Sequence, residues 1–329
     1  MLTRDTELVP NGFSRENMSS AMNLSQASVK QVQDFLNSFD VVFSDCDGVI
    51  WYLGKPIPGA ILTVSKLQQM GKRLYLVTNN STISIDRYCE QLRLNGLVVK
   101  PEQVINSAKV ISWYLKKIQF SDEAFVIASS TFRQVLIDDG IKLTPSSPAV
   151  VEGNVAVTMK AVQDRSSVKA VIVDFCLFFD WVKLAHAISC LERKDVLYIC
   201  GTKDAWIVYD LDKKVLGPGP LINIITQYSG RTPIECAKPS NVLKDYILET
   251  CDVNDPKRCL FIGDTINHDM EFGALCGFQK MFVDTGIDTI QEAEKDKKTR
   301  PDFYIPSLEL LHPIIDSLHN NSTNENDSH

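Results

Sequence analysis

Two aspartates one residue apart, Asp45 and Asp47, close a short apolar run, Val41-Val42-Phe43-Ser44, and Gly48 follows them directly. In an extended segment, side chains two apart leave the backbone on the same side, so the two carboxylates start out as neighbours. Like charges held that close call for a partner, and a hard divalent cation such as Mg²⁺ suits oxygen donors. Gly48 allows a sharp turn and brings backbone amides up to whatever binds there. The same residues also fit a plainer structure, a strand followed by an acidic turn, because Asp and Gly are frequent turn formers.

Two further apolar runs end in polar groups. Arg73-Leu74-Tyr75-Leu76-Val77 leads into Thr78-Asn79-Asn80-Ser81, and Cys259-Leu260-Phe261-Ile262 leads into Gly263-Asp264. In an open parallel sheet, ligands bind beyond the carboxyl ends of the strands, so neighbouring strands would bring these groups to one crevice. Lys238, in Ala237-Lys238-Pro239-Ser240, stands just before a helical pattern, and Pro239 suits a first helical position. An oxygen nucleophile, a metal, hydroxyl and amide donors and a cation are what phosphoryl transfer requires. Alternatives stand beside these roles: Thr78 could simply end a strand, Lys238 could be solvated, and Asp269 could cap a helix. Cys46 lies between the two aspartates, but its side chain is expected to point the other way, into the core.

The elements that must position these groups alternate between strand and helix, which predicts an α/β fold with a parallel sheet. Helical spacing covers Ala60 to Met70, Ser84 to Leu94, Ser107 to Lys117 and Asn241 to Thr250, with a further helix beginning near Asp269. Lys280 to Val283 is a further buried strand. A middle section has its own strands, Ala124 to Ala128, Ala170 to Val173 and Val196 to Cys200, with helices at Thr131 to Asp138 and Trp181 to Glu192. Pro145 to Pro148 and Gly217 to Pro220 punctuate it. The 329 residues fit one α/β core interrupted by a second domain. The core is expected over 28–120 and 233–318, and the inserted domain over 121–232. Residues 1–27 are polar with little periodicity and 319–329 are Asn/Ser-rich, so a flexible extension and a disordered tail are expected there.

Composition narrows the partners. An apolar fraction of 44% is ordinary for a globular protein, and a net charge of −7 leaves no basic footprint for nucleic acid or an anionic membrane surface. No apolar stretch approaches the roughly 18 residues that span a bilayer. Nine cysteines without C-x-x-C spacing suggest neither a disulfide framework nor a zinc site, and fit reduced thiols in the cytoplasm, with Cys200, Cys259 and Cys276 in the core.

The ordered set Asp45-Cys46-Asp47-Gly48-Val49-Ile50-Trp51, Pro58-Gly59-Ala60, Gly71-Lys72-Arg73 through Thr78-Asn79-Asn80-Ser81, Lys238-Pro239-Ser240 and Gly263-Asp264 resembles the haloacid dehalogenase (HAD) superfamily of phosphatases. It is most similar to the branch containing 4-nitrophenylphosphatases, phosphoglycolate phosphatase and pyridoxal phosphate phosphatase, and the resemblance runs from about Phe39 to Ile315. It implies a Rossmann-like parallel-sheet core with an inserted α/β cap domain that selects the substrate, a small phosphorylated metabolite. It also allows a homodimer through the cap. The resemblance makes Asp45 the nucleophile that forms an aspartyl-phosphate and Asp47 the general acid and base. Mg²⁺ would be held by Asp45, the backbone carbonyl of Asp47, and Asp264. Gly48, Thr78, Asn79, Asn80 and Lys238 would bind the phosphoryl group, with Asp269 behind them orienting water or Lys238.

The chain departs from that pattern in places. Asn267 stands where close relatives carry an acidic residue, and His268 beside it is unusual. In Val173-Asp174-Phe175-Cys176, Asp174 replaces a glycine and Cys176 an aspartate, and Gly201-Thr202-Lys203-Asp204 matches only in part. These departures motivate an alternative function, a catalytically weak or inactive relative acting as a binding or regulatory protein. Dehalogenase chemistry is disfavoured, because such relatives lack the second aspartate.

Overall fold

The computed structural model describes residues 20–52, 54–148, 154–210 and 213–326, with backbone alone at 208–210 and 319–326. Its packing forms two compact units. One takes the described residues up to Leu76, with Leu92–Val99 and the chain from Val253 on; the other takes Val77–Gln91 and Lys100–Asp252.

In the first unit, the uninterrupted β-formers of Val41–Ser44 give a strand buried along its whole length, which belongs inside a parallel sheet covered on both faces. The strands run in the order Met22–Asn23, Phe303–Ile305, Gln279–Val283, Cys259–Gly263, Val41–Ser44 and Arg73–Val77, all parallel. Ser44 lies opposite Ile262 on one side and Leu76 on the other. The Phe43 ring stacks between Tyr75 and Phe278, with centroids 5.3 and 5.1 Å away. Because that ring is fully buried, Phe43→Ala should cost about 3–5 kcal/mol of unfolding free energy, measured by urea denaturation.

The sequence-based expectations for the chain ends need correction. Residues 20–27 are not a loose extension: Met22 and Asn23 pair with Phe303 and Tyr304, and Leu24 is fully buried. Likewise the helix Leu311–Asn326 carries through most of the stretch expected to be a disordered tail. Leu311, Ile315 and Leu318 give it a buried stripe, and the Asn/Ser-rich end continues that helix. Residues 1–19 and 327–329 lie outside the described residues.

The second unit holds a parallel sheet in the order Ile234–Glu235, Leu197–Cys200, Val168–Val173, Glu123–Ile127 and Lys142–Leu143. Phe125, Val171, Tyr198, Ile222 and Ile225 share its core. Gly217 to Pro220 is the start of a helix, Gly219–Ser229, with Pro220 in the first turn, where no N–H partner is lost. This unit is larger than the expected 121–232 insertion. The helix Ser107–Lys117 packs on neighbours within it: Ser112 donates to Asp139 (2.5 Å), Trp113 meets Tyr246 edge-on, and Lys117 pairs with Glu249.

All nine cysteines are described and are thiols outside any disulfide, with Cys200, Cys259 and Cys276 buried. Among the described residues no helix is long and apolar enough to cross a membrane.

Candidate active site

Ser44 and Ile262 are register partners, so Asp45 and Gly263-Asp264 leave adjacent strands at the same end. The Asp45 N–H donates to the Ile262 carbonyl (2.9 Å), and the Cys46 N–H donates to Asp45 Oδ1 (2.7 Å). Carboxylate oxygens of Asp45, Asp264 and Asp269 lie within 4.8 Å of one another, and the three residues are only 8%, 1% and 0% exposed. Three anionic groups this close and this dry repel strongly unless a cation or protons compensate them.

The surrounding chain is shaped to hold the cluster. Gly48, at φ +87°, leaves room that a Cβ would fill, 2.6 Å from Asp264 Oδ2, and a Cβ at Gly286 would collide with the same carboxylate. Ile287 N–H donates to Asp264 Oδ2 (3.0 Å), and Thr285 Oγ1 donates to the Gly48 carbonyl (2.6 Å). After Asp264 the chain takes a wide turn in which the Asp269 and Met270 amides both return to the Thr265 carbonyl. That turn swings Asp269 back, where its Oδ2 accepts from the Asp264 and Thr265 amides (3.2 and 3.1 Å) and the Thr265 hydroxyl (2.7 Å). Asp269 therefore fixes the Asp264 loop. An all-oxygen donor set of buried carboxylates fits a hard divalent cation better than a soft one.

Asp47 is half-buried and is not one of the three clustered carboxylates. Gly48's own N–H donates to the Trp51 carbonyl (2.9 Å), and at this position the glycine supplies space and a turn. Tyr52 lies beside the cluster; burial raises its phenol pKa, and the charge of Asp264 raises it further. Asn267 is exposed and His268 half-buried.

In the second unit, Thr78 is buried; its N–H donates to the Ile105 carbonyl (2.9 Å), and its hydroxyl oxygen accepts from the Asn80 N–H (3.0 Å). Asn79 and Lys238, 159 residues apart, clasp each other: the Lys238 N–H donates to Asn79 Oδ1 (3.0 Å) and Asn79 Nδ2 donates to the Lys238 carbonyl (3.4 Å). Asn80 Oδ1 accepts from the Thr82 amide and hydroxyl. The Asn79 and Asn80 side chains thus brace the loop and the lysine. Lys238 is 5% exposed, and its bond to Pro239 is cis. Ser240, not Pro239, opens the helix: it caps Asn241–Thr250 by accepting from the Leu243 N–H.

Sequence reasoning passed over the segment Asp284-Thr285-Gly286-Ile287, although it follows a buried strand and ends it in polar residues and a glycine, as the recognised motifs do. It noted Asp174 as a departure and gave it no role. The structure buries Asp174 completely among the hydroxyls of Ser81 and Ser107.

A carboxylate set gathered at the ends of parallel strands lies where an open α/β sheet binds its ligand. Residues 42–142 match the family model described as haloacid dehalogenase-like hydrolase, and residues 235–311 match one described as HAD-hydrolase-like. Together these take in more than half of the chain, Asp45 and Asp47 in the first and Lys238, Asp264 and Asp269 in the second; the chain belongs to the haloacid dehalogenase-like hydrolase family. Glycerol-3-phosphate phosphatase of Mus musculus is 28% identical over 304 residues, 88% of this chain and 94% of its own. The 4-nitrophenylphosphatase of Schizosaccharomyces pombe is 27% identical, over 87% of this chain and 97% of its own. Phosphoglycolate phosphatase 1A of Arabidopsis thaliana is also 27% identical, over 85% and 78%. These similarities place the chain with that family's phosphoric monoester hydrolases. In fold it is similar to the crystal structure of 4-nitrophenylphosphatase from Thermotoga maritima, with TM-score 0.70 and 22% identity over 84% of this chain and 98% of the other. Glycerol phosphate phosphatase from Mycobacterium tuberculosis, solved in complex with magnesium, has TM-score 0.69 and 20% identity over 84% and 77%.

Proposed function

We propose that this enzyme hydrolyses small phosphate monoesters in a Mg²⁺-dependent reaction that passes through an aspartyl-phosphate on Asp45. The observation that carries the proposal is the buried cluster of Asp45, Asp264 and Asp269 at the strand ends of a haloacid dehalogenase-like core. Asp45, the carbonyl of Asp47, and Asp264 would hold Mg²⁺, which when bound offsets their charge and that of the phosphoryl group.

The chain's own residues carry the steps. A carboxylate oxygen of Asp45 forms the new O–P bond as the bond from phosphorus to the ester oxygen breaks. Asp47 gives its proton to the departing alkoxide, and the alcohol leaves. The Asp47 carboxylate then takes a proton from water, whose oxygen attacks phosphorus, displaces Asp45 and releases orthophosphate. Net consumption is one water per ester. Thr78 accepts from the Asn80 amide, so its own proton remains to donate to a phosphoryl oxygen. Lys238, its backbone set by Asn79, supplies positive charge against the transferring group.

Substrate choice is assigned to the 121–232 section, where Leu177, Phe178 and Trp181 present apolar surface. The same surface suits a homodimer through the cap. The test uses purified full-length protein with Mg²⁺ and a panel of 4-nitrophenyl phosphate, glycerol phosphate, phosphoglycolate and pyridoxal phosphate. Turnover of at least one is expected, and folded protein that releases phosphate from none would refute the proposal.

A further inference from the structure

We infer that Asp174 is a positioning residue for the Thr78–Ser81 loop, holding it in the conformation that receives the phosphoryl group. The inference rests on that loop binding phosphoryl oxygens, as proposed above.

Asp174 follows the strand Val168–Val173, and its N–H donates to the Ile127 carbonyl (2.9 Å). Both of its carboxylate oxygens are taken up. Oδ1 accepts from the Ser81 hydroxyl (2.8 Å) and the Phe175 N–H (2.5 Å), and Oδ2 accepts from the Ser107 hydroxyl (2.7 Å). The Thr202 backbone also donates to it. Ser81, Ser107 and Asp174 are each at most 2% exposed. Next to them, a Cβ at Gly201 would collide with Asp174 Oδ2, so the chain keeps a glycine where the carboxylate needs room.

A buried carboxylate is costly unless several donors face it. Burial pushes the pKa of this one up, while the Ser107, Phe175, Ser81 and Thr202 donors pull it back down. What matters is where the two serines lie. Ser81 closes the Thr78-Asn79-Asn80-Ser81 run. Ser107 opens the helix that follows Val104–Ile105, and Ile105 supplies the carbonyl that receives the Thr78 N–H. One carboxylate therefore holds the loop bearing Thr78 and the segment against which Thr78 is bonded. The remaining side chains of the loop are tied as well, Asn79 to Lys238 and Asn80 to Thr82, so removing Asp174 releases the fixed end of a braced unit. Asp174 stands where the family resemblance places a glycine, which makes Asp174→Gly the natural substitution.

The test compares wild type, Asp174→Gly, Ser81→Ala and the double variant by amide hydrogen exchange over residues 77–83 and by kinetics on 4-nitrophenyl phosphate. Exchange across Thr78–Ser81 should quicken in both single variants. KM and the inhibition constant of orthophosphate should rise about tenfold in Asp174→Gly with a smaller change in kcat. The double variant should be no worse than Asp174→Gly alone, because the two residues act through one hydrogen bond. If Asp174→Gly does not fold, Asp174→Asn, which keeps the shape and one acceptor oxygen, should shift KM and exchange the same way by less. Unchanged exchange at 78–81, or single-variant effects on KM that multiply in the double variant, would overturn the inference. A wild-type protein without turnover would instead defeat the phosphatase proposal, and the exchange measurement would still decide the role of Asp174.

Discussion

Asp45→Asn should fold, gain thermal stability in EDTA, and lose turnover of 4-nitrophenyl phosphate by about 10⁴-fold or more. A carboxamide has the shape of the carboxylate, and its oxygen can still accept the Cys46 N–H, so the strand end keeps its geometry. What it lacks is an anionic oxygen able to attack phosphorus. The gain in stability follows from the same substitution. Asp45, Asp264 and Asp269 place three carboxylates within 4.8 Å in a buried setting, and removing one charge relieves repulsion that a metal-free protein otherwise bears. Loss of activity with a raised melting temperature separates a dead nucleophile from a damaged fold. Mass spectrometry should accompany the assay, since deamidation to Asp would restore activity. If freshly prepared Asp45→Asn turned over at a rate near wild type, the nucleophile would have to be sought elsewhere.

Much of this architecture is legible in the chain because its signals are local. A buried strand that stops at Asp45-x-Asp47, another at Thr78, and a third at Gly263-Asp264 are each visible in a window of ten residues, and their register, with Ser44 opposite both Ile262 and Leu76, follows once the sheet is parallel. What stayed hidden depends on partners distant in sequence. Met22–Asn23 is a strand only because Phe303 and Tyr304 lie beside it, and two residues carry no periodicity. Asn79 and Asn80 are expected at the phosphoryl group, and their position in sequence gives no sign that the Asn79 side chain is engaged with the backbone of Lys238, 159 residues on. Gly48 looked like an amide donor from its position in the motif. The steric demand on it comes from Asp264, more than two hundred residues on. The extent of the units depends on distant partners as well: the helix Ser107–Lys117 has plain helical spacing, and its contacts with Asp139, Tyr246 and Glu249 show which neighbours it joins.

Asp264→Asn should raise the Mg²⁺ concentration for half-maximal activity by more than about a hundredfold, and Asp269→Asn by about ten- to a hundredfold. The ranking follows from what each side chain touches. Asp264 is enclosed by Gly48 and Gly286, receives the Ile287 N–H, and offers a carboxylate to the cluster. Neutralising it removes a charge that a hard cation would meet directly. Asp269 spends Oδ2 on the Asp264 and Thr265 amides and the Thr265 hydroxyl, so its loss acts largely by letting the Asp264 loop drift. A readout independent of turnover is the melting temperature as a function of Mg²⁺, because a ligand that binds only the folded state stabilises it in proportion to the logarithm of its concentration over Kd. Wild type should climb steadily with Mg²⁺, Asp269→Asn should begin its climb at higher concentration, and Asp264→Asn should stay flat over the same range. EDTA should abolish wild-type activity, and added Mg²⁺ should restore it. Should Asp264→Asn respond to Mg²⁺ as wild type does, the carboxylate cluster would not be the metal centre, and Asp45 would have to act on phosphorus without a cation bound beside it.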